Sequence, residues 1–194
     1  MSARPTDATA SSRGPLRERL TAAATPFAIA MALSVAALAT ILAALAFEHL
    51  GGYQPCPLCL MQRDPYYAGI PLALLAAAAA RLGAPRWLTA LAFAAYAGLM
   101  AYGTGLAIYH SGVEWGWWEG PSLCAAAGGT PTDAGAMMQA LQGGVTPPSC
   151  TEAVWRFLGL SFAGWNALIS AALTVGGLYG LVRSWRYGSS SVSQ

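Results

Sequence analysis

Tyr53-Gln54-Pro55-Cys56-Pro57-Leu58-Cys59-Leu60-Met61-Gln62-Arg63-Asp64-Pro65 lies between two runs that hold no Asp, Glu, Lys or Arg, residues 21–47 and 65–80. Two more such runs follow, 87–109 and 157–182. Each is near or above the ~17–20 residues that a helix needs to cross a bilayer, the second being the shortest. Of 194 residues, 56% are hydrophobic and only 9% charged. A soluble domain carries about a quarter charged residues, so this chain cannot cover itself with polar surface. The expected fold is all-α: an integral membrane four-helix bundle, one domain over 20–183, with two outward loops at about 48–64 and 110–156. Residues 1–19, polar and containing Pro, Ser and Thr, read as a disordered arm, and 184–194 as a tail.

The basic residues set the orientation. All ten are arginine. Arg4, Arg13, Arg17 and Arg19 precede the first run, Arg81 and Arg86 lie between the second and third, and Arg183 and Arg186 follow the fourth. The other side has only Arg63 and Arg156, with most of the acidic residues. The excess of arginine on one side places both termini and the 81–86 turn in the cytoplasm. The formal net charge of +2 gives no reason to expect nucleic acid as a partner. Arginines followed by an apolar run and Ala44-Leu45-Ala46 also suit a cleavable signal peptide. The run is longer than such peptides use, which favours a retained helix.

All four cysteines fall in the outward loops, Cys56 and Cys59 in the first, Cys124 and Cys150 in the second. A compartment like the bacterial periplasm permits disulfides there, and four cysteines allow three connectivities. Pro57 suits a first helical position, so a helix could open at the C-x-x-C itself; Asp64-Pro65 is also a good start. A C-x-x-C at a helix start is poised for thiol–disulfide exchange, because the helix N-terminus and nearby cations stabilise a thiolate. A zinc site would need two further ligands at sensible spacing, so no metal is expected. A purely structural bridge over so small a loop would stabilise little. Arg63, four residues after Cys59, shares its helix face if one helix runs through both. There it would favour the Cys59 thiolate and attract a carbonyl oxygen; the plainer alternative is an anchor on membrane lipid phosphate.

A bridge between Cys124 and Cys150 would be worth about 3–4 kcal/mol as a structural loop closure. Beside a redox-active first pair it reads instead as an exposed disulfide that meets a partner, with Gly120-Pro121 and Pro147-Pro148 favouring exposure. Trp115, Trp117 and Trp118 suit the membrane interface. Residues 132–142 form a candidate short helix with Met137, Met138 and Leu141 on one face. Glu48, His49 and His110 are candidates to line an acceptor pocket, and Asn166 reads as an interhelical hydrogen-bonding residue.

Taken in order, these pieces resemble the DsbB family of bacterial disulfide bond formation proteins. The resemblance rests on Phe47-Glu48-His49 ahead of Pro55-Cys56-Pro57-Leu58-Cys59, then Gln62-Arg63, Tyr109-His110, the Cys124 and Cys150 loop, and Trp155-Arg156-Phe157-Leu158-Gly159-Leu160. It covers roughly 26–182. Tyr109-His110-Ser111-Gly112-Val113-Glu114 through Gly120-Pro121 is similar to an alphaproteobacterial branch, whereas Pro65 and Pro71 depart from the best-known members. The resemblance implies an inner-membrane, quinone-dependent protein-disulfide oxidoreductase that reoxidises a periplasmic DsbA-like thiol oxidase. It implies that a partner thiolate attacks Cys124, that the Cys124–Cys150 dithiol reduces Cys56–Cys59, and that Cys59 passes electrons to ubiquinone or menaquinone held by Arg63 and His110. The competing readings are a quinone-linked oxidoreductase of the vitamin K epoxide reductase type, whose C-x-x-C normally opens a later helix, and a non-catalytic scaffold stapled by disulfides.

Overall fold

Thr25 and Pro26 begin the first helix as the sequence demands. The Thr25 hydroxyl oxygen accepts from the Ala28 N–H at 3.2 Å, and Pro26 occupies a first-turn position where its missing N–H costs nothing. In the computed structural model, which describes residues 25–122, 124, 138 and 149–187, this helix is α1 (Pro26–His49), followed by α2 (Pro57–Met61), α3 (Asp64–Arg81) and α4 (Arg86–Glu114). A two-residue hairpin, β1 (Arg156–Phe157) and β2 (Leu160–Ser161), leads into α5 (Phe162–Tyr187). The expected 132–142 helix lies outside the described residues, apart from the exposed Met138, as do 1–19 and 188–194.

The four longer helices form a ring in which α1 packs on α3, α3 on α4, α4 on α5, and α5 back on α1. Three of them, α1, α4 and α5, are long and apolar enough to cross a membrane. The fourth, α3, is the shortest at 18 residues and completes the ring. The chain is a multi-pass helical membrane bundle. Its core draws Ala30, Leu33, Ala37 and Ile41 from α1, Tyr66, Ala73 and Ala76 from α3, Phe93, Tyr96 and Met100 from α4, and Leu173 from α5. Leu42, Leu91 and Val175 point outward and stay exposed, which suits a lipid surround. Between α4 and α5, contact depends on small residues. A Cβ placed on Gly177 would lie 3.2 Å from the Ala97 backbone and 3.0 Å from the Tyr96 ring, so the helices approach closely only because that atom is missing.

The second helical segment is broken where the sequence left two starts open. Pro65 has no N–H to offer the Met61 carbonyl, and its ring would crowd that carbonyl. α2 therefore ends at Met61, with the Arg63 N–H drawn into a tighter bond to the Leu60 carbonyl at 2.9 Å. The chain restarts when the Tyr66 and Tyr67 N–H groups bond the Arg63 carbonyl. Both proposed starts are used, with a break between them. The fourth run also begins later than its charge-free length suggests. Leu158 and Gly159 have φ of 52° and 82°, a turn that folds 156–161 into the hairpin before α5 begins.

Arg86 lies over the Trp185 ring at 5.2 Å, tying the α3–α4 turn to the end of α5 at one end of the bundle. The C-x-x-C, the end of α4 and the hairpin gather at the other.

Gly177→Val should separate α4 from α5 and lower bundle stability by about 1–3 kcal/mol, read as a lower midpoint of thermal unfolding in detergent. Tyr96→Phe should not: the Tyr96 hydroxyl is buried with no hydrogen-bond partner among the described residues, so its removal should be neutral or stabilising in the same melt.

Candidate active site

Cys56 organises the outward end through its own helix cap. It has extended backbone angles, Pro57 follows at the first helical position, and its Sγ accepts from the Cys59 N–H at 3.1 Å. The two cysteines are joined as a disulfide, with Cα atoms 5.0 Å apart. Cys56 faces the protein interior. Cys59, half-buried, lines a cavity that Cys56 does not reach.

The second disulfide, Cys124–Cys150, packs against the first. Cys56, Cys124 and Cys150 are only 2%, 3% and 1% exposed and share one apolar cluster with Leu58 and Val113. The expected exposed disulfide is therefore corrected: the pair is covered. Trp118 is the hook that holds it. Its indole N–H donates to the Tyr109 carbonyl at 2.7 Å, and its ring stacks on Tyr109. A Cβ on Gly112 would collide with that indole, so glycine makes the seat. Folding Trp118 back brings Gly120 onto Val113 and Cys124. Cys124 borders a depression lined by Glu114, Trp115, Trp117, Trp118, Ser149 and Thr151.

Arg63 does not sit on one continuous helix with Cys59, because the break at Gln62–Arg63 intervenes. Its guanidinium instead donates to Glu48 of α1 at 2.6 Å. Both line the cavity beside Cys59, as does His110. His49 is exposed and takes no part. The cavity measures about 400 Å³. Phe47, Tyr53, Trp155 and Phe162 form an aromatic wall, with Trp155 stacked on Phe162 at 4.8 Å and Phe47 edge-on to Phe162 at 5.0 Å. The hairpin delivers Trp155 to this wall and is held by the Trp165 indole N–H donating to the Phe157 carbonyl at 3.1 Å.

A polar chain crosses the floor. The Tyr66 hydroxyl donates to Asn166 Oδ1 at 2.6 Å, Asn166 Nδ2 donates to Gln62 Oε1 at 2.7 Å, and Gln62 Nε2 donates to His110 Nδ1 at 2.6 Å. His110 Nε2 lies 3.6 Å from Cys56 Sγ and 3.8 Å from Glu114 Oε1. Asn166 is thus both the expected interhelical bond and part of the cavity lining. Gln62, Tyr66 and Glu114 were not singled out from sequence. The available signal was chemical: Gln62 and Asn166 are amides at the edge of or within apolar segments, where an unpaired polar group is costly. Cys56 Sγ, Cys59 Sγ and His110 lie within 4.8 Å of one another. Sulfurs bonded to each other offer no thiolate to a metal ion.

The family model for disulfide bond formation protein DsbB matches residues 26–180. This chain belongs to the DsbB family. It is 35% identical over 152 residues to disulfide bond formation protein B of Marinobacter nauticus, covering 74% of this chain and 86% of that one. The counterpart from Aromatoleum aromaticum is 35% identical over 136 residues, 68% and 77% of the two chains. That from Verminephrobacter eiseniae is 31% identical over 157 residues, 77% and 82%. In this DsbB-family chain the four cysteines, Arg63 and His110 converge on one end of the bundle, with the two disulfides in contact with one cluster.

Gly112→Val should dislodge Trp118 and uncover the second disulfide. Reduction of Cys124–Cys150 by a dithiol, followed by mass-tagging of free thiols, should run several-fold faster than in the parent, with Cys56–Cys59 less affected.

Proposed function

We propose that this protein is an inner-membrane, quinone-dependent protein-disulfide oxidoreductase that reoxidises a DsbA-like periplasmic thiol oxidase. The observation that carries the reading is the burial of both disulfides in one cluster, with Cys59 alone of the first pair turned into the aromatic cavity. Family membership supports the coarser statement, a membrane protein of disulfide bond formation.

The steps follow from which sulfur faces what. A thiolate of the partner enters the depression beside Cys124 and attacks its Sγ, and Cys150 leaves as thiolate. Attack by the partner's second thiol on the mixed disulfide releases the oxidised partner and leaves a Cys124–Cys150 dithiol. The sulfur of the first pair that faces this dithiol is Cys56, so attack falls there and Cys59 departs as a thiolate into the cavity. Arg63 supplies positive charge on that side, and Glu48 fixes the guanidinium.

The cavity fits a quinone ring. Its walls are flat and apolar, and its few polar groups include the Arg63 guanidinium and the second N–H of Asn166 Nδ2, donors suited to carbonyl oxygens. A bound quinone would supply an acceptor for two electrons and two protons. Arg63 would hold it by a hydrogen bond and His110 would line its site through the ring, the aromatic wall would exclude water, and the open side of the cavity would face lipid. The arginine distribution supports an orientation with both termini cytoplasmic and the cysteines periplasmic.

With the native Cys124–Cys150 disulfide intact, a reduced partner whose second, resolving cysteine is replaced by serine should accumulate a mixed disulfide at Cys124 with Cys150 released as thiolate, seen on non-reducing gels and mapped by mass spectrometry; an adduct at Cys56 would reverse the path. Arg63→Ala should raise the quinone KM about tenfold or more while leaving that adduct's formation nearly unchanged. The measurement is quinone reduction at varied quinone and partner concentrations, and an unchanged quinone KM would remove Arg63 from the acceptor site. An engineered cysteine at position 188 should resist an impermeant thiol reagent in intact cells, whereas one at position 117 should react.

A further inference from the structure

The polar chain across the cavity floor has a direction, and that direction fixes a proton. Gln62 is buried, and its Nε2 faces two groups, the Leu58 carbonyl at 3.3 Å and His110 Nδ1 at 2.6 Å. A backbone carbonyl can only accept, so the nitrogen end of this amide belongs on that side. Its oxygen end then meets Asn166 Nδ2 at 2.7 Å, and Asn166 Oδ1 meets the Tyr66 hydroxyl at 2.6 Å. Every link is donor to acceptor in the same sense. A neutral imidazole that accepts at Nδ1 must carry its proton on Nε2. The far side of the ring agrees. Cys56 Sγ at 3.6 Å and Glu114 Oε1 at 3.8 Å are acceptors, and the Cys150 backbone also lies within reach of the ring.

We propose that Gln62 is a positioning residue that holds the His110 proton on Nε2, so that this N–H faces Cys56 Sγ and steadies the thiolate released there. The tautomer stands on geometry alone; its chemical consequence rests on the disulfide relay proposed above. In that relay one thiolate of the Cys124–Cys150 dithiol attacks Cys56 Sγ. The Cys56–Cys59 bond breaks and Cys59 takes its electron pair. The second thiolate then attacks the sulfur bonded to Cys56, which re-forms Cys124–Cys150 and expels Cys56 with its electron pair. Two electrons have passed from one pair to the other, and the two thiol protons are released to water. Cys56 is thus a leaving group with two donors aimed at it, the Cys59 backbone N–H and the His110 Nε2–H. His110 gives a hydrogen bond and keeps its proton. Among the described residues, the charged and titratable groups around the pair are Cys59 across the disulfide, Cys124, Cys150 and Tyr109 of the same cluster, Glu114 from α4, Arg156 facing Glu114 from the hairpin, and the Arg63–Glu48 pair beside the cavity.

The chain has only two histidines, His49 and His110, which makes the test direct. Full-length protein labelled with ¹⁵N-histidine is measured by NMR in the oxidised state, and His49→Gln assigns the signals. The parent should show an unprotonated Nδ1 and a protonated Nε2 at His110. Gln62→Leu, which removes the donor without adding charge, should populate both tautomers, and Gln62→Glu at alkaline pH should move the proton to Nδ1. A protonated Nδ1 in the parent, or the parental tautomer in both variants, overturns the proposal. The second readout is alkylation of the fully reduced protein, resolved by residue with peptide mass spectrometry. In Gln62→Leu the midpoint of the Cys56 pH–rate profile should rise by about one unit with that of Cys59 little changed, as loss of one hydrogen bond to a charged sulfur would produce. An unmoved Cys56 midpoint also overturns it. Neither measurement uses quinone or a partner protein, so failure here would leave the proposed function untouched, and failure of that function would leave the tautomer standing.

Discussion

The rest of the site depends on the missing N–H of Pro65. Without it the Met61 carbonyl has no partner four residues on, so the helix that starts at Cys56 cannot run unbroken into α3. The break turns two consecutive side chains to different tasks. Gln62 points inward to His110 and Asn166, and Arg63 reaches α1 to pair with Glu48. A continuous helix would have stacked Arg63 one turn after Cys59, whereas Gln62 follows the buried Leu58 by one turn and faces inward. The short α2 also lets Cys56 act as a cap, so the reactive sulfur nearest the interior sits at a helix N-terminus.

Burial of the second disulfide beside the first would give the proposed relay its economy of motion. Cys124 and Cys150 already pack beside Cys56, and Trp118 is seated on Gly112 near the end of α4. The two pairs share an apolar cluster, and a site from which water is excluded protects intermediate mixed disulfides from competing reactions. Cys124 borders one depression and Cys59 lines the other cavity, while Cys56 lines neither and is buried in the cluster they share. Two separate hollows joined through one buried sulfur fit the proposed relay between a soluble partner and an apolar acceptor.

Composition and spacing alone determined that this is a helical membrane bundle, because crossing hydrocarbon demands long charge-free runs whose backbone groups are satisfied internally. They also determined that all four cysteines lie between runs on one side, and the ordered motifs around Cys56–Cys59, Gln62-Arg63, His110 and Trp155 carried the family. What meets what was decided by tertiary structure. Gln62 and Asn166 are 104 residues apart, and His110 and Cys56 are 54 apart. Such pairings depend on the rotation and register of whole helices, which are set by close contacts such as Gly177 against Ala97. In a bilayer both the core-facing and the lipid-facing sides of a helix are apolar, so hydrophobic periodicity does not reveal that rotation. The exposed reading of Cys124 and Cys150 failed for a related reason: glycine and proline neighbours report local chain preference, while burial was decided by packing against Cys56, Leu58 and Val113, residues distant in sequence.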